Sequence, residues 1–85
     1  MSEELRGLVG SYLDRLAAGA ISPGEAADWA LRVMEEESAD TVDPGIWSAL
    51  DRLAGADLLE GPGKYLHGHA DFADWRDEFE ADVSR

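Results

Sequence analysis

The sequence has no cysteine and few basic side chains: seven lysines and arginines stand against nineteen aspartates and glutamates in 85 residues. The lack of thiols excludes a disulfide scaffold, a cysteine nucleophile and thiolate-ligated zinc. The shortage of cations gives a net charge of −12, which repels nucleic acid and anionic membranes and attracts basic surfaces. We therefore expect no direct nucleic-acid partner and no membrane partner.

Long apolar runs are also missing, so neither a signal peptide nor a transmembrane segment is predicted, and the expected location is the cytoplasm. Hydrophobic residues nevertheless make up 45% of the chain and include three tryptophans, which is too many for a disordered acidic tail. A chain of 85 residues suffices for one small core. We therefore predict a single helical domain over residues 1–85.

Four segments have helical periodicity. Apolar residues recur at spacings of three and four over residues 5–16, and Gly19 is suited to end that helix. Residues 22–25 (Ser-Pro-Gly-Glu) and residues 43–44 (Asp-Pro) are N-terminal capping signals for two further helices. No strand of useful length is predicted. The fold class expected is all-α, a compact four-helix bundle with helices at about residues 3–18, 23–37, 44–54 and 70–83.

The three tryptophans fall on the apolar faces of different predicted helices, at Trp29, Trp47 and Trp75. Aromatic side chains in such positions bury large areas, and they are more often core residues than binding platforms. We therefore expect all three to share one core.

Motifs for catalysis or metal binding are not found. His67 and His69 are separated by one residue, but no third ligand with suitable spacing accompanies them. Gly61 and Gly63 beside Lys64 lack the hydroxyl residue of a phosphate-binding loop. Pairs of carboxylates are unavoidable among nineteen acids and so identify no acid–base couple. We expect no enzyme, no metal and no cofactor, and an enzyme that uses buried carboxylates is the least favoured class.

The negative charge is concentrated in two segments. Residues 20–43 carry seven acids and one base, and residues 70–85 carry six acids and two bases. Each segment has two interpretations: a solvated surface that aids solubility, or an array of anions that faces a basic partner. Under the second interpretation, the candidate partner-binding residues are acids of the first segment and three further along: Glu35, Glu36, Glu37, Asp40, Asp43, Asp51, Asp57 and Glu60.

Two stretches of sequence resemble a known family. The first helix runs into Leu16–Ser22 (Leu-Ala-Ala-Gly-Ala-Ile-Ser), and the third carries Leu50–Leu53 (Leu-Asp-Arg-Leu), followed by Ala56-Asp57. This order resembles the immunity family of the colicin D type. The resemblance implies an acidic helical protein that occupies the active site of a tRNA-cleaving toxin in place of the RNA. Residues 29–31 and 65–67 look similar to small uncharacterised acidic helical proteins of high-GC bacteria.

Two functions follow as hypotheses. The first is an immunity-type inhibitor that binds and neutralises a basic, tRNase-like nuclease toxin by charge mimicry, with opposite charges that speed association. The second is a small protein–protein interaction module or homodimeric assembly module with no toxin partner, whose acidity keeps it soluble. The partner is a basic protein in the first hypothesis, and it can be a second copy of the chain in the second.

Overall fold

Four α-helices account for most of the structure. The computed structural model describes residues 2–37, 42–62 and 64–83. Its helices are α1 (Ser2–Ala18), α2 (Pro23–Glu36), α3 (Pro44–Ala54) and α4 (His69–Val83), which confirms the predicted four-helix bundle. The predicted bounds of α3 are right, and those of the other helices differ by one residue at one end. No helix within the described ranges is long and apolar enough to cross a membrane.

The starts of α2 and α3 follow from their capping residues. The Ser22 hydroxyl accepts a hydrogen bond from the backbone N–H of Glu25 at 3.1 Å. The Asp43 carboxylate accepts one from the backbone N–H of Gly45 at 2.9 Å. Each cap is followed by a proline in the first turn. Backbone N–H groups in the first turn have no partner within the helix, so proline, which lacks this group, costs no hydrogen bond there. Local sequence therefore determines where both helices begin.

The turn after α1 depends on Gly19. Its φ of 75° is left-handed, a conformation that glycine adopts without the steric cost of a Cβ. A Cβ at this position would also lie 3.2 Å from Cε1 of His69, the first residue of α4. The backbone N–H of Ala20 donates to the carbonyl of Arg15 at 2.8 Å, which closes the last turn of α1. The turn thus ends α1 and lies against the beginning of α4.

One apolar core joins the helices. α1 packs mainly on α4, and α2 packs mainly on α3, while both α1 and α4 also contact α3. On α2 the buried side chains are small, which allows its neighbours to approach closely. The largest fully buried side chains come from α1 and α3: Val9, Leu13, Leu16, Ile46, Leu50 and Leu53.

α1 and α4 run antiparallel. Near the end of α1, the carbonyl oxygen of Ala17 lies 3.2 Å from Nδ1 of His69 at the beginning of α4. Two turns back along α1, Gly10 faces Phe79, and a Cβ on Gly10 would lie 3.5 Å from the ring atom Cε2. The missing side chain of Gly10 therefore leaves room for an aromatic ring that is only 4% exposed.

A small β-hairpin connects α3 to α4. This hairpin was not predicted from the sequence. Its strands are β1 (Leu59–Gly61) and β2 (Lys64–Tyr65), paired antiparallel with Leu59 opposite Tyr65. The backbone N–H of Leu66 donates to the carbonyl of Leu58 at 2.8 Å, which extends the pairing beyond the strands. The expectation was that no strand of useful length is present, and these strands of three and two residues are too short to show an alternating pattern.

The tryptophans are placed differently from the prediction. Trp29, Trp47 and Trp75 pack against the core but are only partly buried, so they lie at its rim. Trp29 stacks on Tyr12, whereas Trp75 contacts His67 and Phe72. A core filled by leucine, isoleucine, valine, alanine and phenylalanine side chains holds the helices together, and the larger indoles lie around its edges.

Candidate functional site

The acids predicted to bind a partner lie on several elements. Six of them have described side chains, and all six are exposed. Asp43 is engaged in capping α3. Asp40 and the side chain of Glu60 lie outside the described residues. Nothing in the structure tests whether the set binds a partner, so it stays a prediction; the six described members are Glu35, Glu36, Glu37, Asp43, Asp51 and Asp57.

Two of the arginines are paired with acids on neighbouring helices. Arg52 of α3 forms an ion pair with Glu78 of α4. Nε of Arg76 on α4 lies 3.7 Å from Oδ1 of Asp14 on α1, and its Nη2 lies 3.4 Å from Oδ1 of Asp77. These contacts connect α4 to the helices on either side of it. The guanidinium charges of Arg52 and Arg76 are therefore largely compensated by neighbouring carboxylates.

Another arginine lies beside two stacked aromatic rings, and a further one follows the second ring by one helical turn. The rings of Tyr12 on α1 and Trp29 on α2 are 4.0 Å apart between centroids and nearly parallel, at 8°. Cζ of Arg15 lies 5.9 Å from the Tyr12 centroid. Arg32 is one turn beyond Trp29 on the same side of α2, since residues three apart are neighbours on a helix surface. We call these four residues the arginine–aromatic face.

The arginines of this face differ from the paired ones in their surroundings. Arg15 and Arg32 are both exposed, and within the described part of the chain neither takes part in an ion pair. Such a guanidinium keeps its planar set of donors available for carboxylate or phosphate groups. The arginine–aromatic face is thus a place where the described chain offers positive charge beside aromatic rings. Arg6 of α1 is also exposed and makes no ion pair among the described residues, but no stacked ring pair accompanies it there.

Along the two helices that carry this face, acids flank α2 more closely than α1. Along α2, Asp28 and Glu36 stand four residues before and after Arg32 and lower the local positive potential. Along α1, by contrast, the one acid between residues 5 and 18 is Asp14, and Arg76 already pairs with it. The α1 side of the face is therefore the less acidic side.

The histidines serve as contacts between elements. His69 reaches the end of α1 through the carbonyl of Ala17, as described above. Nδ1 of His67 lies 3.8 Å from Oδ2 of Asp71, and its ring meets the Trp75 ring edge-on at 4.9 Å. Among the residues that the structure describes, no group of three histidine, cysteine, aspartate or glutamate side chains is arranged to hold a metal ion.

Sequence reasoning missed the arginine–aromatic face, although a signal was present. Residues 12–15 read Tyr-Leu-Asp-Arg and residues 29–32 read Trp-Ala-Leu-Arg. Both segments are helical, so each repeats the pattern of an aromatic residue with an arginine one turn later. Because the aromatic residues were assigned to the core and the arginines were counted only in the net charge, the pattern was overlooked.

Comparison with protein families identifies the chain. The family model described as YxzC DNA-binding protein matches residues 4–79, which is most of the sequence, and the chain therefore belongs to this family. No curated protein and no solved structure matches it.

The family match overturns four expectations. The chain is not a member of the colicin D-type immunity family, and the hypothesis of an inhibitor of a nuclease toxin is wrong. The alternative of an assembly module without a toxin partner gains no support. The expectations of a basic protein partner and of no direct nucleic acid conflict with the family as well. The resemblance was misleading because helix caps and leucine spacings arise wherever helices start and pack, in unrelated proteins too.

Proposed function

We propose that the chain binds DNA, as the description of its family indicates, and that it does so through the arginine–aromatic face. One observation carries the choice of this face. Arg15 is exposed, makes no ion pair among the described residues and lies 5.9 Å from the Tyr12 ring that stacks on Trp29, whereas Arg52 and Arg76 are paired with acids. Arginine is well suited to phosphate because its fork of N–H donors can engage two oxygens at once.

The net charge of −12 limits such binding without forbidding it. At physiological ionic strength, charges more than about 8 Å apart in solvent are largely screened from one another. The molecule measures 37 × 24 × 18 Å, so acids on its far side lie several screening lengths from DNA at the face. The ligand therefore responds mainly to local charge, and local charge at the α1 side of the face is not acidic.

The same reasoning predicts weak binding with a shallow salt dependence. A protein that contacts two phosphates releases few counterions, and the expected slope of log K against log salt for duplex DNA is about −1.8. Salt also screens the repulsion between DNA and the acidic remainder of the chain, which makes the observed slope shallower still. A basic DNA-binding protein with many phosphate contacts would show a much steeper slope.

We further propose that this role is non-catalytic and is carried out in the cytoplasm. Support for the first part comes from the sequence, which has neither a cysteine nucleophile nor a recognisable catalytic motif. Support for the second comes from the absence of any long apolar run in the sequence.

The test is a comparison of two charge-matched double variants in a fluorescence-anisotropy titration with labelled DNA at about 50 mM salt. Arg15→Gln with Arg32→Gln removes the cations of the face, and Arg6→Gln with Arg52→Gln removes the same charge from positions outside the face and leaves the Arg76–Asp14 pair intact. We expect the first variant to weaken binding at least roughly tenfold and to flatten the salt slope by about 1 per arginine removed. We expect the second variant to bind nearly as well as the parent chain.

Two results would contradict the proposal. Equal weakening in both double variants would mean that net charge alone matters and that the face is not the site. No binding of the parent chain to either single-stranded or duplex DNA at low salt would mean that the chain does not bind DNA. Circular dichroism spectra of each variant must first show that the helices are retained.

A further inference from the structure

We infer that the form of DNA that this face accepts is single-stranded. The inference rests on the proposed function and adds to it the class of ligand. Three observations lead to it: the placement of acids on the exposed helix surfaces, the small number of arginines on the arginine–aromatic face, and the aromatic rings within that face.

Duplex recognition ordinarily places a helix with basic and polar side chains in the major groove, which is about 12 Å wide. Neither α3 nor α4 is suited to this. On α3 the exposed side chains include Ser48 and Asp51, and Arg52 is engaged with Glu78. The exposed acids of α4 occupy successive turns over its whole length: Asp71, Asp74, Asp77, Glu78, Glu80 and Asp82. Either helix would bring carboxylates against both rows of phosphates.

The positively charged part of the arginine–aromatic face is too narrow for a rigid duplex. It follows the seam between α1 and α2 and holds two arginines, and exposed acids of α2 such as Asp28 and Glu36 begin within one turn of Arg32. Duplex DNA has one charge for about every 1.7 Å along its axis, and it cannot bend its second strand away from these acids at low cost. A single strand has half as many phosphates and a flexible backbone, so it can follow the seam alone.

The aromatic rings favour a ligand whose bases are unpaired. Tyr12 and Trp29 are partly exposed, Arg15 and Arg32 are exposed, and Cζ of Arg15 lies 5.9 Å from the Tyr12 centroid. Because the two rings stack on each other, a base has their outer faces and edges on which to pack. Bases of a single strand can stack on aromatic rings and on guanidinium planes, whereas bases in a duplex are already stacked on each other. Stacking does not depend on net charge, so it supplements the affinity that two arginines provide.

The experiment uses three labelled probes of roughly 16 nucleotides with the full chain: a mixed-sequence single strand, its duplex, and an abasic single strand of the same length. The abasic probe keeps the phosphates and the flexibility but has no bases. We expect the normal single strand to bind at least roughly tenfold more tightly than either the duplex or the abasic strand. A variant with Trp47→Phe and Trp75→Phe leaves Trp29 as the sole indole, and we expect its fluorescence to be quenched by the normal single strand alone.

The outcomes separate this inference from the proposed function. Duplex binding as tight as single-strand binding would overturn the inference and leave DNA binding intact. Abasic and normal strands that bind equally would show that bases are not contacted, which also overturns it. If none of the three probes binds, the proposed function itself fails. The abasic comparison needs no substitution, so it remains decisive even if the tryptophan variant does not fold.

Discussion

Arginine has two different roles on the two sides of this molecule. On the α3–α4 side, Arg52 and Arg76 pair with carboxylates across helix boundaries. On the α1–α2 side, Arg15 lies beside a stacked tyrosine–tryptophan pair, Arg32 follows that tryptophan by one turn of α2, and within the described residues neither arginine pairs with an acid. The comparison teaches that net charge is a poor guide to where an acidic protein keeps cations that no carboxylate compensates. What matters is which cations have been compensated by their neighbours.

The ion pairs on the α3–α4 side do not make that side more stable than the α1–α2 side. The side chains in the Arg52–Glu78 pair are 39% and 55% exposed, and those in the Arg76–Asp14 pair are 35% and 60% exposed. Ion pairs that remain this open to water contribute little to stability, because solvent screens them and ordering two long side chains costs entropy. Their main effect is to remove positive charge from that surface. Stability must come from the core that both sides share.

The largest expected effect therefore comes from the core. Leu50 is fully buried on α3, and Leu50→Ala should lower the free energy of unfolding by about 2–5 kcal/mol through lost burial and the remaining cavity. Because one core joins the two sides, tryptophan fluorescence and helical circular dichroism should change at the same urea concentration. Two separate transitions would break the comparison by showing that each side folds on its own.

A smaller effect is expected at the junction between the two sides. Gly19→Ala places a Cβ at a φ of 75° and 3.2 Å from His69, and should cost about 1–2 kcal/mol. Gly7→Ala is the matched control, because Gly7 lies within α1 and a Cβ there meets nothing within 4 Å. This control should raise stability by about 0.5–1 kcal/mol through better helix propensity. Urea denaturation of both variants checks the prediction, and a loss of stability in both would show that the left-handed turn is not the cause.

The smallest effect is expected from the ion pairs. Arg52→Gln and Arg76→Gln should each lower the free energy of unfolding by no more than about 1 kcal/mol at low salt. This loss should shrink in about 1 M salt, where the screening length is near 3 Å. Thermal or urea denaturation at both salt concentrations measures it. A large loss that salt does not reduce would mean that these arginines support the fold by packing, and the contrast between the two sides would have to be restated.

Much of the fold could be predicted because its signals are local. The Ser22 and Asp43 caps with their following prolines mark two helix starts, and the structure shows both caps formed. The hairpin could not be predicted in this way, since its pairing of Leu59 with Tyr65 depends on a turn and not on periodicity. The rim position of the tryptophans also depends on tertiary packing, which decides how much of each indole the small core can cover.

The candidate site was harder to predict, for a physical reason. A sum over charged residues treats Arg15 and Arg76 alike. Arg76, however, pairs with Asp14, whereas Arg15 has no acidic partner among the described residues. Which carboxylate reaches which guanidinium is decided by helix packing. Likewise, the stacking of Tyr12 on Trp29 requires α1 and α2 to be adjacent, and neither helix alone indicates it.

The antiparallel packing of α1 on α4 has a consequence for how the chain is made. α1 leaves the ribosome before α4, the helix on which it mainly packs, because α2 and α3 lie between them in the sequence, and the residues that join their ends are 52 positions apart. Until α4 emerges, Val9, Leu13 and Leu16 have no complete cover, and loop closure over this distance slows the final docking step. A nascent chain stalled before α4 would thus present an apolar stripe to chaperones or to other nascent chains.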